Sequence, residues 1–158
     1  MDPNQTLAPF IRASNSVFKQ MFDLEISKGQ VQSEGDTFIS QGFTVMVGLT
    51  GKWNGWFFLD MTQATAIKLA QIMTGEEYDT AANEEVLLAG GEVANIISGN
   101  AITDINNLQP GLNIRLSPPS IFTGEGMSMF NVRLNACSVL FQTEAGNIKI
   151  NVVMKEAN

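Results

Sequence analysis

A chain of 158 residues, 44% hydrophobic and 16% charged, carries enough apolar surface for one packed core, which excludes intrinsic disorder. Nine Lys and Arg against sixteen Asp and Glu leave a net charge of −7, so no nucleic-acid partner is expected, because a phosphate-backbone binder needs clustered cations. The complete absence of histidine removes Ser-His-Asp and Cys-His nucleophile systems, histidine-ligated zinc and a phosphoaccepting histidine together.

Leu7, Phe10, Ile11, Ser14, Val17, Phe18, Met21 and Phe22 recur at spacings of three and four, which predicts an amphipathic helix over 6–23. The polar, glycine-containing stretch 27–36 reads as connection. Phe43, Val45, Val47 and Leu49 alternate with Thr44, Met46 and Gly48, the period of a half-buried strand. Turn residues over 50–55 then lead into Trp56-Phe57-Phe58-Leu59, predicting a hairpin. Asp60 or Thr62 is placed to cap a second helix running through Met73, and Gly75 to end it.

After an acidic connection over 76–80, a long helix is predicted over 83–107, roughly 37 Å at 1.5 Å per residue. Asn83 is its cap, Glu84 and Glu85 suit its positive end, and Pro110-Gly111 stops it. A short strand over 112–116 precedes Ser117-Pro118-Pro119, and Gly124-Glu125-Gly126 makes a further loop. Val132, Leu134, Ala136, Ser138 and Leu140 alternate with their neighbours, turn at 144–147 and return as Ile148, Ile150, Val152 and Met154, a long terminal hairpin. The expected fold is α+β, an α/β layered arrangement with one largely antiparallel sheet covered by helices, and residues 1–158 form a single domain.

The one cysteine cannot form an internal disulfide, and residues 1–10 lack the basic and apolar regions of a secretory signal, so the reducing cytoplasm is the expected location. No apolar run approaches the roughly 18 residues needed to cross a bilayer, and no membrane insertion is expected.

Advancing 100° per residue from Glu92 sorts the long helix into two faces. Val86, Leu87, Gly90, Val93, Ala94, Ile97, Ala101, Ile105 and Leu108 form the stripe expected to be buried, with Asp104 a polar blemish in it. Leu88, Glu92, Asn95, Ile96, Gly99 and Thr103 lie opposite. A solvated face normally carries good, cheaply hydrated helix formers, whereas this one carries Leu88, Ile96 and a glycine that costs about 1 kcal/mol relative to alanine. Close approach of another backbone at Gly99 is the expected compensation, and the face reads as a docking surface on which Glu92 and Asn95, three residues apart, point the same way. The alternative is that Glu-x-x-Asn occurs by chance and another part of the chain covers Leu88 and Ile96.

Gly91-Glu92-Val93-Ala94-Asn95-Ile96-Ile97-Ser98-Gly99-Asn100-Ala101, followed after 22 intervening residues from Asn95 by Pro118, resembles the signature of the CheC/CheX/FliY family of chemotaxis phosphatases, in particular its CheX branch. The stretches over 48–56 and 121–124 are similar to that branch too, and the likeness spans about residues 7 to 155. It implies a protein that docks on a phosphorylated CheY-like receiver domain and speeds hydrolysis of its aspartyl phosphate. The motif glutamate would contact the receiver's active-site lysine and the motif asparagine would position the attacking water, roles that fall on Glu92 and Asn95. Leu88, Ile96, Gly99 and Thr103 would shape the contact, with Pro118 supporting the motif. No cofactor of the chain's own is implied, because the receiver supplies Mg2+ to an already activated acyl phosphate.

The chain departs from the family in two places. Leu88 stands where the pattern often has Asp or Ser, four residues before the glutamate, and the first helix offers Phe18 and Met21 where the CheC branch carries a second Glu-x-x-Asn. One active face per chain is therefore expected, together with the CheX branch's homodimer through paired sheet edges, for which a long terminal strand with an unpaired edge would serve. Two other functions compete: a non-catalytic receiver-binding or flagellar-switch-type scaffold module, and a structural dimer whose partner covers the helix face. The Gly48, Gly51 and Lys52 set lacks phosphate-loop spacing, Trp53 and Trp56 read as hairpin packing, and Cys137 reads as a strand residue without a neighbouring cation.

Overall fold

The computed structural model describes residues 3–130 and 136–158. Val132 and Leu134 of the expected terminal hairpin lie outside the described residues. The elements follow in the order α1 (Pro3–Phe22), β1 (Ser27–Lys28), β2 (Gln32–Glu34), β3 (Thr37–Ile39), β4 (Phe43–Thr50), β5 (Trp53–Met61), α2 (Gln63–Thr74), α3 (Glu84–Leu108), β6 (Arg115–Leu116), β7 (Ser120–Thr123), β8 (Ser128–Phe130), β9 (Ala136–Thr143) and β10 (Gly146–Glu156). The main sheet is antiparallel with the order β1-β9-β10-β5-β4-β6, β2 also pairing with β9 and β7 with β4. The fold is therefore the expected mixture of helices with a largely antiparallel sheet.

Local chemistry sets the boundaries. The Thr62 hydroxyl accepts from the Thr65 amide and Gly75 closes α2 in the left-handed region at φ 74°, which only glycine adopts without strain. Asn83 caps α3 by accepting from the Glu85 amide. Of the two candidate caps for α2, Thr62 is the one used, because Asp60 is fully buried on the sheet's other face.

One face of the sheet, presenting Val45, Val47, Phe57, Leu59, Ile148 and Ile150, packs under the three helices in one continuous core. Phe10 of α1 stacks on Phe57 of β5 with ring centroids 5.1 Å apart. α3 lies over the β4 end of the sheet against α1 and α2, where Val86, Val93, Ala94, Ile97 and Ala101 are buried. By length and by a mean hydropathy of 1.2, α3 is the one membrane-span candidate among the described residues, longer than the apolar runs sought in the sequence, yet its apolar side packs on the sheet.

Several expectations need correction. The stretch 27–36 is not plain connection: β1 and β2 pair with β9, satisfying backbone groups that the polar sequence conceals. The strand expected over 112–116 is confined to Arg115–Leu116, and β7 follows it on the same edge of β4. The terminal strand β10 has no free edge, because β9 and β5 flank it on both sides. The open edges lie instead along β1/β2 and β6/β7.

β4 is also buried on both faces rather than one. A separate ribbon, β3 paired with β8, lays Phe38 and Met129 over Phe58, with Phe38 edge-on to Phe58 at 5.3 Å. Beside it Asp60 accepts from Thr44 Oγ1 at 2.6 Å, the Gln41 amide at 3.1 Å and Ser40 Oγ at 3.3 Å. Further along this face Glu34 ion-pairs with Lys149 and accepts from Ser138 Oγ at 2.8 Å.

These two carboxylates make opposite contributions to the pH dependence of stability. Burial pushes Asp60 above the ordinary range, with the hydrogen bonds from Thr44, Gln41 and Ser40 opposing it. Burial also acts upward on Glu34, but Lys149 and Ser138 outweigh it and hold the group below its usual value. Glu34 therefore stabilises the fold above the ordinary glutamate pKa, and this contribution disappears as pH falls through its lowered pKa; Asp60 favours the fold at low pH and loses that contribution as pH rises through its raised pKa. A Glu34→Gln variant is expected to melt below the parent at pH 7 and to approach it near pH 3. Parallel melting curves at both pH values would contradict this sign.

Candidate functional site

α3 presents its outward face as expected. Leu88 is 63% exposed, Glu92, Asn95 and Thr103 are exposed, and Gly99 is half-buried. Glu92 and Asn95 lie one turn apart, and among the described residues neither side chain has a hydrogen-bond or ion-pair partner. A carboxylate and an amide held this way, side by side on a rigid helix and unpaired, are free to form hydrogen bonds with a partner without first breaking any at home.

The packing beneath the pair is specific. Ser98, fully buried on the next turn, donates its hydroxyl to the Ala94 carbonyl at 2.6 Å and to the Asn95 carbonyl at 3.3 Å. A serine inside an otherwise apolar helix stripe was the available signal for this support, and helix periodicity alone passes over it. On the flank, Pro119 and Ile121 lie 3.5 and 3.4 Å from where a Cβ at Gly91 would stand, so the β6–β7 segment runs beside the Glu92 turn. Ser117 holds that segment to the sheet, its amide donating to the Gly48 carbonyl at 2.9 Å and its Oγ accepting from the Gly48 amide at 2.7 Å. Pro118 is exposed in this segment, next to the Pro119 that borders α3.

Three details of the helix depart from the wheel. Ile96 is half-buried and packs on the core margin. Leu108 is 70% exposed rather than buried, lining a shallow groove between α1 and the last turn of α3. Asp104 faces solvent and pairs with Arg12 of α1 at 3.7 Å, because the helix end meets α1 at its polar margin. Nor, among the described residues, does a backbone outside α3 approach Gly99: a Cβ there would meet within 4 Å only Leu116 Cδ1, at 3.9 Å. Away from the site, Trp56 packs with the Phe58 cluster and Trp53 with the main core, and burial pushes the Cys137 thiol up, away from thiolate chemistry.

An antiparallel sheet with three helices on one face is the fold of CheX- and CheC-like chemotaxis proteins. The crystal structure of CheX from Desulfovibrio desulfuricans superposes with a TM-score of 0.85 at 24% identity, over 96% of this chain and 99% of that one. The family model of the chemotaxis phosphatase CheX matches residues 43–143, and the chain belongs to the CheX family. The chain is 22% identical over 136 residues to the CheY-P phosphatase CheX of Thermotoga maritima, covering 85% of this chain and 86% of that protein. It is 30% identical, with a TM-score of 0.83 over 96% of this chain and 98% of the other, to a chain in the CheX-CheY-BeF3-Mg2+ complex from Borrelia burgdorferi.

Proposed function

We propose that this protein is a phosphatase of a CheY-like response regulator, docking on the phosphorylated receiver through the outer face of α3 and accelerating hydrolysis of its aspartyl phosphate. The observation that carries the reading is the unpartnered, exposed Glu92 and Asn95 pair, set in a family whose Thermotoga member is named for this activity and whose Borrelia member was solved with CheY. In this reading Glu92 pairs with the receiver's active-site lysine and Asn95 enters the active site. Leu88, Ile96, Gly99 and Thr103 form the surrounding contact, and Pro118 supports the β6–β7 flank.

The chemistry asks little of the helper. Water attacks phosphorus in line, the bond from phosphorus to the aspartyl oxygen breaks, and inorganic phosphate and a free aspartate result, the proton passing from water to the phosphate oxygens or solvent. Mg2+ from the receiver neutralises charge on the transferring group, so the chain needs no metal of its own. The Asn95 amide has only to hold the water, its carbonyl accepting a hydrogen bond and its NH2 donating one. Acting on such a receiver, the protein would work in the cytoplasm, and a homodimer would form through the open sheet edges along β1/β2 or β6/β7.

The test is the lifetime of receiver domains from the same genome, phosphorylated with a small-molecule donor and Mg2+, with and without this protein. Acceleration supports the phosphatase. Leu88, 63% exposed where the family pattern often has Asp or Ser, favours a second reading, the non-catalytic receiver-binding or switch-type scaffold, which predicts binding with an unchanged lifetime.

A further inference from the structure

The three glycines in the first two-thirds of α3 are not equivalent. At Gly90 a Cβ would fall 2.5 Å from Phe43 Cε1 and 2.6 Å from Cζ of a ring that is fully buried, so the core itself demands glycine there. At Gly91 a Cβ would stand in ordinary contact with Ile121 at 3.4 Å and Pro119 at 3.5 Å, filling space that the β6–β7 flank already borders. At Gly99 the same construction meets only Leu116 Cδ1 at 3.9 Å, an ordinary contact, and the residue is not among those with positive φ. Nothing among the described residues calls for glycine at this position, although glycine is among the poorest helix formers.

The reason for the missing side chain lies outside the chain. Gly99 is four residues from Asn95 and seven from Glu92, directly above both on the same helix face. An asparagine amide reaches only just beyond its own Cβ, so for Asn95 to enter a pocket in another protein the helix surface around it must come into contact with the rim of that pocket. The position one turn along, about 6 Å away, is where that rim would meet the helix. We propose that Gly99, with Leu116 on its flank, is a specificity-determining notch that seats an apolar group of the phosphorylated receiver against bare α3 backbone, setting how deeply Asn95 enters. This inference rests on the docking reading given above and names the part of α3 that measures the approach.

The experiment compares the parent chain with Gly99→Ala and Gly99→Leu in two measurements: thermal unfolding, and affinity for a receiver held in its phosphoryl-like form by beryllofluoride and Mg2+. Gly99→Ala is expected to melt about 2–4 °C above the parent, because alanine is the better helix former and no neighbour is displaced. Gly99→Leu is expected to stay folded and to lose on the order of 10- to 100-fold in affinity, the ratio an overfilled contact produces. A Gly99→Ala chain that melts below the parent overturns the inference, because the glycine would then be required internally. Affinity of Gly99→Leu within twofold of a parent that binds overturns it as well, leaving the docking reading intact. A parent chain that binds no activated receiver overturns both.

Discussion

Replacing Asn95 by alanine is expected to reduce the acceleration of receiver dephosphorylation by about 10²–10³-fold, the range seen when one preorganised hydrogen-bonding group is removed from an active site. The fold should be indifferent to the change. The Asn95 side chain is exposed and unpartnered, alanine is the better helix former, and the supporting bond from Ser98 goes to the Asn95 carbonyl, which alanine keeps. Binding should change little, since the amide acts on a water once docking is complete. Asn95→Gln keeps the amide but moves it outward by about a bond length, and a displacement of about 1 Å can itself cost on the order of 10²-fold. Glutamine is therefore not expected to rescue the rate. Single-turnover decay of the aspartyl phosphate at saturating protein separates this loss from weakened docking; an alanine variant within threefold of the parent would remove Asn95 from the mechanism.

The difference between what the sequence reveals and what the structure adds follows from the range of the interactions. α2 and α3 were legible because their caps, Thr62, Gly75 and Asn83, act within a few residues, and the outer face of α3 because helical period alone sorts Glu92 and Asn95 from Val93 and Ala94. β1, β2 and β3 were not, since Ser27–Lys28, Gln32–Glu34 and Thr37–Ile39 are short and mostly polar and become strands only against β9 and β8, about a hundred residues away. The same non-local packing hides the burial of Thr44, which alternation assigns to the wetter face, and of Asp60, which reads as a candidate helix cap; the β3–β8 side of the sheet encloses both. At the end of α3 the wheel failed for Leu108 and Asp104 because a period cannot tell where the covering layer stops. At Gly99 the sequence signal is a glycine with no local reason to sit in a helix, which points to close approach of another backbone; among the described residues none of this chain fills that space, which leaves the docking partner.

Phe57→Ala should be the most damaging single truncation in the core beneath these helices. Phe57 is fully buried on β5, paired with Val47 on one side and Val152 on the other, and its ring stacks on fully buried Phe10 with the planes 19° apart. Alanine would remove the contact that fastens α1 to the centre of the sheet, leaving a cavity between strands that are hydrogen-bonded on both sides and cannot close over it. The expected loss is about 3–5 kcal/mol, a large share of the 5–15 kcal/mol that holds an ordinary domain folded. At about 2–4 °C per kcal/mol for a chain of this length, the melting temperature should fall by roughly 6–20 °C. Phe57→Leu, which keeps much of the volume but not the stacking, should lose less than half as much. Since Phe57 lies on the core face and Glu92 with Asn95 on the outer face of α3, activity per folded molecule well below the transition should survive, so the variant separates stability from docking. A fall in melting temperature of less than 2 °C would show that the α1 contact is not what secures this layer, and that α3 and α2 hold the sheet without it.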